Sequence, residues 1–451
     1  MWAWGTNYYG QIGDNSATNT VRSSPVQITA LSDIIEIAAG RYSSYALKAD
    51  GTVWAWGYNA SGELGDASNT NRYLPVPVSG LVGVQAIGAG ASHGLAVLAD
   101  GTVRTWGLNS IGQLGRGNTT NSNVPVTATG LGSVQFVTGG ESHSLALRTD
   151  GTVAVWGWGG LGQLGNGGQN SNVPVTLAGM VASSLAANGY SSFAIVASTR
   201  QLKAFGLNNN GQLGDGSTAN RLSPVLITSN VRAVAAGGSH MAMVGADGRL
   251  QGSGNNSLRQ LGDATTLSRT QPTRSRLSRP VVTLAEGYYH SLAVAPDGAV
   301  WGTGNNGNAQ LGLGNATSPV LPTMMPSFTM FNGTDLQLDL DNDGLNLFEE
   351  FMAGTDPLTA DTNGNGLSDG AEFALGLDAA TLDSDGDGLT NDAETLAGTN
   401  PFSADTDGDG YADGVDQFPL DNSRHSLTAT PGDITPPVIT LIKPIGATPI
   451  P

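Results

Sequence analysis

Four groups of oxygen-bearing side chains recur every 22 residues toward the end of this 451-residue chain, spaced as a cage for a hard divalent cation. The third group shows the pattern. Asp383, Asp385 and Asp387 alternate, Gly388 stands sixth, and Glu394 closes the group at the twelfth position. Alternate residues of a tight loop converge on one point, glycine permits the sharp turn, and the distal glutamate offers two oxygens. Together these approach the roughly six to eight oxygen ligands that calcium takes. The first group offers Asp339, Asp341, Asp343, Gly344 and Glu350, and the second Asp361, Asn363, Asn365, Gly366 and Glu372. The fourth offers Asp405, Asp407, Asp409, Gly410 and Asp416. The second has fewer charges and is expected to bind calcium more weakly; the fourth has a shorter twelfth ligand. An acidic disordered linker is the bland alternative, yet a random acidic tract has no reason to keep glycine sixth in four copies.

Other residue types invite weaker hypotheses. His93, His143, His240 and His290 occupy equivalent places in a longer repeat, so a ring of imidazoles binding a metal is conceivable. Ser43 and Ser192 stand in the same place in two copies and are poor metal ligands, which favours a structural role: each side chain bonding backbone within its own repeat. Trp4, Trp56, Trp106, Trp156 and Trp301 keep a fixed register and are expected to pack between repeats rather than to stack on sugars. Arg269, Arg274, Arg276 and Arg279, with Arg259 nearby, form a basic cluster that reads as solvated surface. No phosphate-binding loop, metalloprotease helix or nucleophile elbow is present, so the chain is expected not to be an enzyme.

The elements that carry these residues follow from a second periodicity. Ile12-Gly13, Leu64-Gly65, Leu114-Gly115, Leu164-Gly165, Leu213-Gly214, Leu261-Gly262 and Leu311-Gly312 recur at steps of 48 to 52. Within one repeat, Leu145 and Leu147 fall on one face of a strand and Ala146 on the other. Asp150-Gly151 supplies a tight hairpin turn, and Thr152–Gly157 reads as a strand apolar on both faces. The same Asp-Gly recurs at Asp50, Asp100, Asp247 and Asp297, but is replaced at Ser198-Thr199. Several short strands per repeat and no helical period predict four-stranded blades arranged radially.

Composition sets the limits. There is no cysteine, so disulfides and cysteine zinc sites are excluded. Residues 1–330 carry 17 Lys and Arg against 14 Asp and Glu, and residues 331–451 carry 2 against 23, so the net charge of −18 belongs to the tail. Nothing in that balance favours nucleic acid. No apolar run is long enough for a membrane-spanning helix, and the first residues do not form a signal peptide.

The pattern Ala-Ala-Gly-x-x-His-Ser-x-Ala-Leu … Asp-Gly-Thr-Val-x-x-Trp-Gly-x-Asn-x-x-Gly-Gln-Leu-Gly, almost complete over residues 135–165, resembles the repeat of the regulator of chromosome condensation family. The resemblance implies an all-β, seven-bladed propeller over residues 1–327. Members of that family act as nucleotide exchange factors, chromatin binders, ubiquitin-ligase scaffold modules and secreted inhibitors. The tail resembles bacterial thrombospondin type 3-like repeats, with some similarity to dockerin loops, which implies that calcium orders a core-poor stalk. The expected organisation is the propeller, a linker at 328–338, an irregular calcium-loop tail at 339–425, and a Pro-rich linker or the start of a β-sandwich at 426–451. The Gly-x-x-(His/Ser) half occurs six times against seven for the Trp-Gly half. The first blade is therefore expected to be incomplete, through truncation that also removed a signal peptide. The resulting expectation is an extracellular binding or adhesion protein whose propeller face recognises a protein or glycan, held on a calcium-stiffened spacer. A secreted enzyme inhibitor is the alternative; an exchange factor is disfavoured because repeats of such even length leave no room for a long inserted wedge.

Overall fold

In the computed structural model, described for residues 1–16, 20–330 and most of 339–423, the chain divides into two compact units, Met1–Leu358 and Thr359–Pro451. Residues 331–338 of the expected linker and the Pro-rich segment 426–451 lie outside the described residues.

The first unit is built of antiparallel strands. β1 (Trp2–Asn7) and β2 (Thr20–Gln27) form a two-stranded sheet. β3 (Ile34–Ala39), β4 (Ser43–Lys48), β5 (Val53–Gly57) and β6 (Arg72–Pro77) form a four-stranded sheet in sequence order. β7 (Val84–Ala89), β8 (His93–Leu98), β9 (Val103–Gly107) and β10 (Ser122–Thr127) repeat it. Next come β11 (Val134–Gly139), β12 (His143–Arg148), β13 (Thr152–Gly157), β14 (Ser171–Asn188), β15 (Ser191–Val196), β16 (Leu202–Gly206) and β17 (Arg221–Thr228) in one seven-stranded sheet. β14 serves twice there: residues 171–181 pair with β13 and residues 182–188 with β15. β18 (Val231–Ala236), β19 (His240–Gly245), β20 (Leu250–Gly254) and β21 (Arg269–Arg274) form the next sheet. β22 (Thr283–Glu286), β23 (His290–Val294), β24 (Ala299–Gly304) and β25 (Thr323–Thr329) form the last.

This is the expected all-β propeller. Its second and third strands are buried on both faces, as in β12, where every residue but Arg148 is buried. The first strand of each set lines a channel of about 870 Å³, and in β3 half-buried and exposed residues alternate. The hairpin turn behaves as read: Gly151 sits at φ +78°, and Asp150 Oδ1 accepts bonds from the N–H and hydroxyl of Thr152. Where Asp-Gly is missing, Arg200 takes the left-handed conformation at φ +46°.

One bond type joins sheet to sheet. The indole Nε1 of Trp56, Trp106 and Trp156 donates to the backbone carbonyl of Gln11, Glu63 and Gln113 in the preceding set. Trp4 donates in the same way to Gln310, so β1 docks on the last sheet and the ring closes. Trp4 packs there with Val294, Val300, Met325 and Phe328, while Met1 packs on Leu31, Ala46 and Trp56 of the following sheet. Trp4, Trp56, Trp106 and Trp156 are therefore inter-sheet packing elements, as their register predicts; Trp301 also packs between sheets but out of that register, pairing with Ala293 where Trp156 pairs with Ser144, and its buried indole N–H has no partner.

In the second unit the tail is less irregular than expected. Two seven-residue helices, α1 (Asp369–Leu375) and α2 (Asn391–Ala397), begin inside the second and third loops. Gly398, left-handed at φ 79°, ends α2 with its N–H on the Glu394 carbonyl. Among the described residues, no helix is long and apolar enough to cross a membrane.

Candidate functional site

The four acidic loops share one local construction. The sixth-position glycines Gly344, Gly366, Gly388 and Gly410 all lie between φ +95° and +102°, a conformation that excludes side chains. In the third loop, Asp383 accepts the N–H of Gly386 at 2.7 Å and of Gly388 at 3.0 Å, and Asp387 accepts that of Leu389 at 2.7 Å. Asp405 and Asp409 do the same with Gly408, Gly410 and Tyr411. These bonds fold the loop and occupy both oxygens of Asp383 and of Asp405, whereas Asp385 Oδ2 and Asp407 Oδ2 accept none. One carboxylate oxygen each of Asp383, Asp385 and Asp387 then lies within 4.8 Å of the others, as holds for Asp405, Asp407 and Asp409 and for Asp339, Asp341 and Asp343.

A carboxylate cluster of this kind is repulsive by itself, and the structure shows the cost. Glu394 is 0% exposed, and neither of its side-chain oxygens has a hydrogen-bond partner. Burial, then the neighbouring charges of Asp385, Asp387 and Asp383, push its carboxyl up to about 7. Asp385 Oδ2, Asp407 Oδ2 and Asp416 Oδ2 are likewise buried and unpartnered. Buried, unpaired carboxylate oxygens converging on one point are what a hard cation neutralises, so the donor set fits calcium. The second loop differs: Asn363 and Asn365 donate their amides to Glu372, the latter at 2.8 Å. Two asparagines there satisfy the glutamate that a cation would otherwise have to satisfy.

In the propeller, the histidines are structural but bond differently from the reading above. His93 Nε2 meets Ser144 Oγ at 2.8 Å, and His143 Nε2 meets Ser192 Oγ at 2.9 Å. Each partner is a serine side chain on the next set of strands, not backbone within the same one. Ser144 in turn donates to the Gln113 carbonyl, which leaves its oxygen to accept from the imidazole. Burial lowers His93 to about 4 and His143 to about 3, so both are neutral at physiological pH. The strand register also corrects one position: Ser191, not Ser192, pairs as His143 does, Ser191 with Gly206 and His143 with Gly157. The loop before it is one residue shorter.

His240, Glu286 and Ser291 deserve chemical scrutiny because they combine the groups of a nucleophilic triad. Glu286 Oε2 lies 2.6 Å from His240 Nε2, and Ser291 Oγ lies 3.3 Å from the same nitrogen. Both partners crowd one ring nitrogen, whereas a relay needs them on opposite nitrogens, and all three residues are sealed from solvent or nearly so. The arrangement is a polar joint between sheets.

The arginine cluster is largely paired: Arg269 with Asp263, Arg274 with Asp247, and Arg279 with Asp297. The first belongs to a repeated device that sequence reasoning missed. Asp14, Asp66, Asp215 and Asp263, each directly after the Leu-Gly or Ile-Gly, bond Arg22, Arg72, Arg221 and Arg269. The signal was an Asp after that dipeptide with an Arg six to eight residues on.

Sequence reasoning also missed the mouth of the channel. The two residues between the repeated Gly and the His or Ser vary from set to set, and they converge. Tyr42 lies 5.1 Å from Tyr9 and 6.4 Å from Tyr58, Tyr288 lies 4.7 Å from Tyr289, and Trp158 lies 5.0 Å from Tyr190, all edge to face. Arg41 stacks 5.6 Å over Tyr288 and pairs with Glu141 at 2.7 Å. Tyr42, Tyr288 and Tyr289 remain 40%, 39% and 42% exposed. Backbone bonds from Arg41 to Ala91, Ala91 to Gly140 and Glu141 to Gly189 hold this rim rigid.

Comparison with known proteins places both parts. Residues 1–338 match the profile of the RCC1-like domain, and residues 383–404 and 405–415 match the bacterial TSP3 repeat. The human protein described as a probable E3 ubiquitin-protein ligase HERC6 is 37% identical over 67 residues, which is 14% of this chain and 6% of that protein. Human WBSCR16 superposes with a TM-score of 0.64 at 23% identity, over 72% of this chain and 93% of that one. Yeast RCC1 (Prp20), solved with Kap60, gives 0.64 at 23% identity, over 74% and 84%.

Proposed function

Because this chain belongs to the family of RCC1-like domains, we propose that its propeller is a docking platform for a protein partner, carried outside the cell on a calcium-ordered spacer. In this reading the six four-stranded sets and the β1–β2 pair are the blades of a seven-bladed ring whose first blade is represented by two strands. The platform offers surface rather than chemistry.

The observation that carries the reading is the mouth of the channel. Tyrosine, tryptophan and arginine dominate the energetics of protein interfaces, and the two aromatic residues bury much area at small entropic cost. Here Tyr42, Tyr288, Tyr289 and Arg41 are partly exposed on loops whose backbone is already ordered, so binding costs little further entropy. The solved Saccharomyces cerevisiae Prp20p, 22% identical with a TM-score of 0.63, is described with binding to Gsp1p and histones, which supports a protein rather than a glycan as the kind of partner.

In the tail, we assign calcium to Asp339, Asp341, Asp343 and Glu350; to Asp361, Asn363, Asn365 and Glu372; to Asp383, Asp385, Asp387 and Glu394; and to Asp405, Asp407, Asp409 and Asp416. Loops of this kind suit the millimolar calcium found outside cells. The test of the platform is quantitative: binding of a partner captured on the immobilised chain is remeasured with Tyr42→Ala/Tyr288→Ala. A loss of about tenfold or more supports the reading. Unchanged affinity, with a loss instead on altering the opposite rim at the hairpin residues Asp100 and Asp150, refutes it.

A further inference from the structure

The ninth residue of each acidic loop lies outside the ligand sets assigned above. In the third and fourth loops it is Asn391 and Asp413, and both are buried. Each also reaches the preceding loop. The side-chain amide of Asn391 lies 3.3 Å from Oε1 of Glu372, the twelfth residue of the second loop. Asp413 sits where the fourth loop touches the third. The N–H of the adjacent Gly414 donates to Asp387 Oδ2 at 2.9 Å, and a Cβ on Gly414 would come within 2.5 Å of the Asp387 carbonyl oxygen. Asp413 is also close enough to Asp385 and Glu394 for its charge to act on both.

An independent observation points to a cation at that junction. Glu394, fully buried, has no hydrogen-bond partner for either oxygen, and it is one of the groups that Asp413 approaches. Bringing a further carboxylate toward a buried, unpaired one is unfavourable unless positive charge lies between them.

We propose that the ninth residues of the third and fourth loops are ligands, direct or through one water, of the ion held by the preceding loop. Asn391 then completes the second site and Asp413 the third, so that successive ions clamp successive loops together. The inference rests on the calcium reading of the tail and deepens it.

Asp413 also has a local role. Its two oxygens accept from the N–H and hydroxyl of Thr406 at 2.9 and 2.6 Å. The two roles are compatible, because a carboxylate has about four acceptor directions and the local clamp uses two of them. The clamp holds the carboxylate in the orientation that the neighbouring site needs. Charge follows the same logic: the second site has few carboxylates of its own and receives a neutral ninth residue, while the third receives a charged one.

Calorimetric calcium titration of the full chain separates these roles. Asp405→Ala/Asp407→Ala first disables the fourth site. Adding Asp413→Asn to that background is expected to weaken one further site by about tenfold, and to do nothing more once Glu394→Gln is present. If Asp413→Asn is silent in that background, its role is local and the proposal fails. A gain-of-affinity arm guards against misfolding: Asn391→Asp is expected to tighten one site, and Glu372→Gln to abolish that gain. A gain abolished by Glu394→Gln instead would assign residue 391 to its own loop and overturn the proposal. A wild-type chain with no heat at millimolar calcium overturns the calcium reading itself, and this inference with it.

Discussion

The imidazoles of His93 and His143 show how one side chain can be indispensable without being reactive. Each is sealed in the ring, held through Nε2 by a serine of the neighbouring sheet, and lowered by burial to about 4 and about 3. His290 is lowered to about 4, again mainly by burial. The unfolded chain takes up protons at these positions near pH 6.5, whereas the folded ring does not until far lower pH. Their contribution is thus intact above about pH 6.5 and is lost as the pH falls toward the folded values. The slope is roughly 1.4 kcal/mol per pH unit for each histidine. Thermal melts of the propeller between pH 7 and pH 4 are expected to show this decline. His143→Gln is expected to flatten it while lowering stability at pH 7; a variant with the same slope as wild type would contradict the assignment. Ser191, which occupies the corresponding place in another set, shows that the fold tolerates a hydroxyl there.

At the scale of the element, a buried asparagine holds the loop that precedes the Leu-Gly or Ile-Gly in six of the seven repeats. Asn109 Oδ1 accepts the N–H of Leu114 at 2.9 Å, and its amide donates to the carbonyls of Asn118 and Thr120. Asn59, Asn208, Asn256 and Asn306 repeat the first of these bonds. Asn109→Ala orphans several buried groups at about 1–3 kcal/mol each, so a loss of several kcal/mol in chemical denaturation is expected. One set has Gly159 instead, and restoring the consensus there is expected to harm it: a Cβ would sit 2.2 Å from the Gln169 carbonyl oxygen. Gly159→Asn is therefore expected to lower the melting temperature, and an increase would refute the steric argument. Trp156→Phe removes the indole bond to Gln113 while keeping most of the packing, at an expected cost of about 1 kcal/mol. Much of this was legible beforehand. Trp-Gly-x-Asn…Leu-Gly announces a constant loop, but that the asparagine reaches five residues ahead, and that Asp after Leu-Gly bonds an Arg, depends on how the loop folds back on itself.

At the scale of the whole molecule, the two units draw stability from different sources. The propeller has apolar clusters between successive sheets, such as that of Leu145, Val153, Leu185 and Phe205. The tail has few buried apolar side chains, among them Leu377 and Ala379, and many acidic ones. Calcium is therefore expected to protect residues 339–423 from proteolysis and to leave the propeller's melting unchanged, with chelator reversing the protection. A calcium-insensitive digestion pattern in the tail would remove the spacer role. The channel mouth belongs to this scale as well, because Arg41, Tyr42, Glu141, Tyr190 and Tyr288 come from three different sheets.

Periodic features were settled by the chain itself: strands, hairpin turns, the recurrence of the repeat, and the four oxygen-bearing loops. These depend on contacts within a few residues, and two-residue and 22-residue spacings express them directly. What the tertiary structure decided lies across repeats: the serines that receive His93 and His143, the carbonyls that receive the indoles of Trp56, Trp106 and Trp156, the closure by Trp4 on Gln310, and the rim contact of Trp158 with Tyr190. Each joins residues about 30 to 300 positions apart, brought together only when curved sheets are stacked around an axis, and no local spacing encodes that curvature.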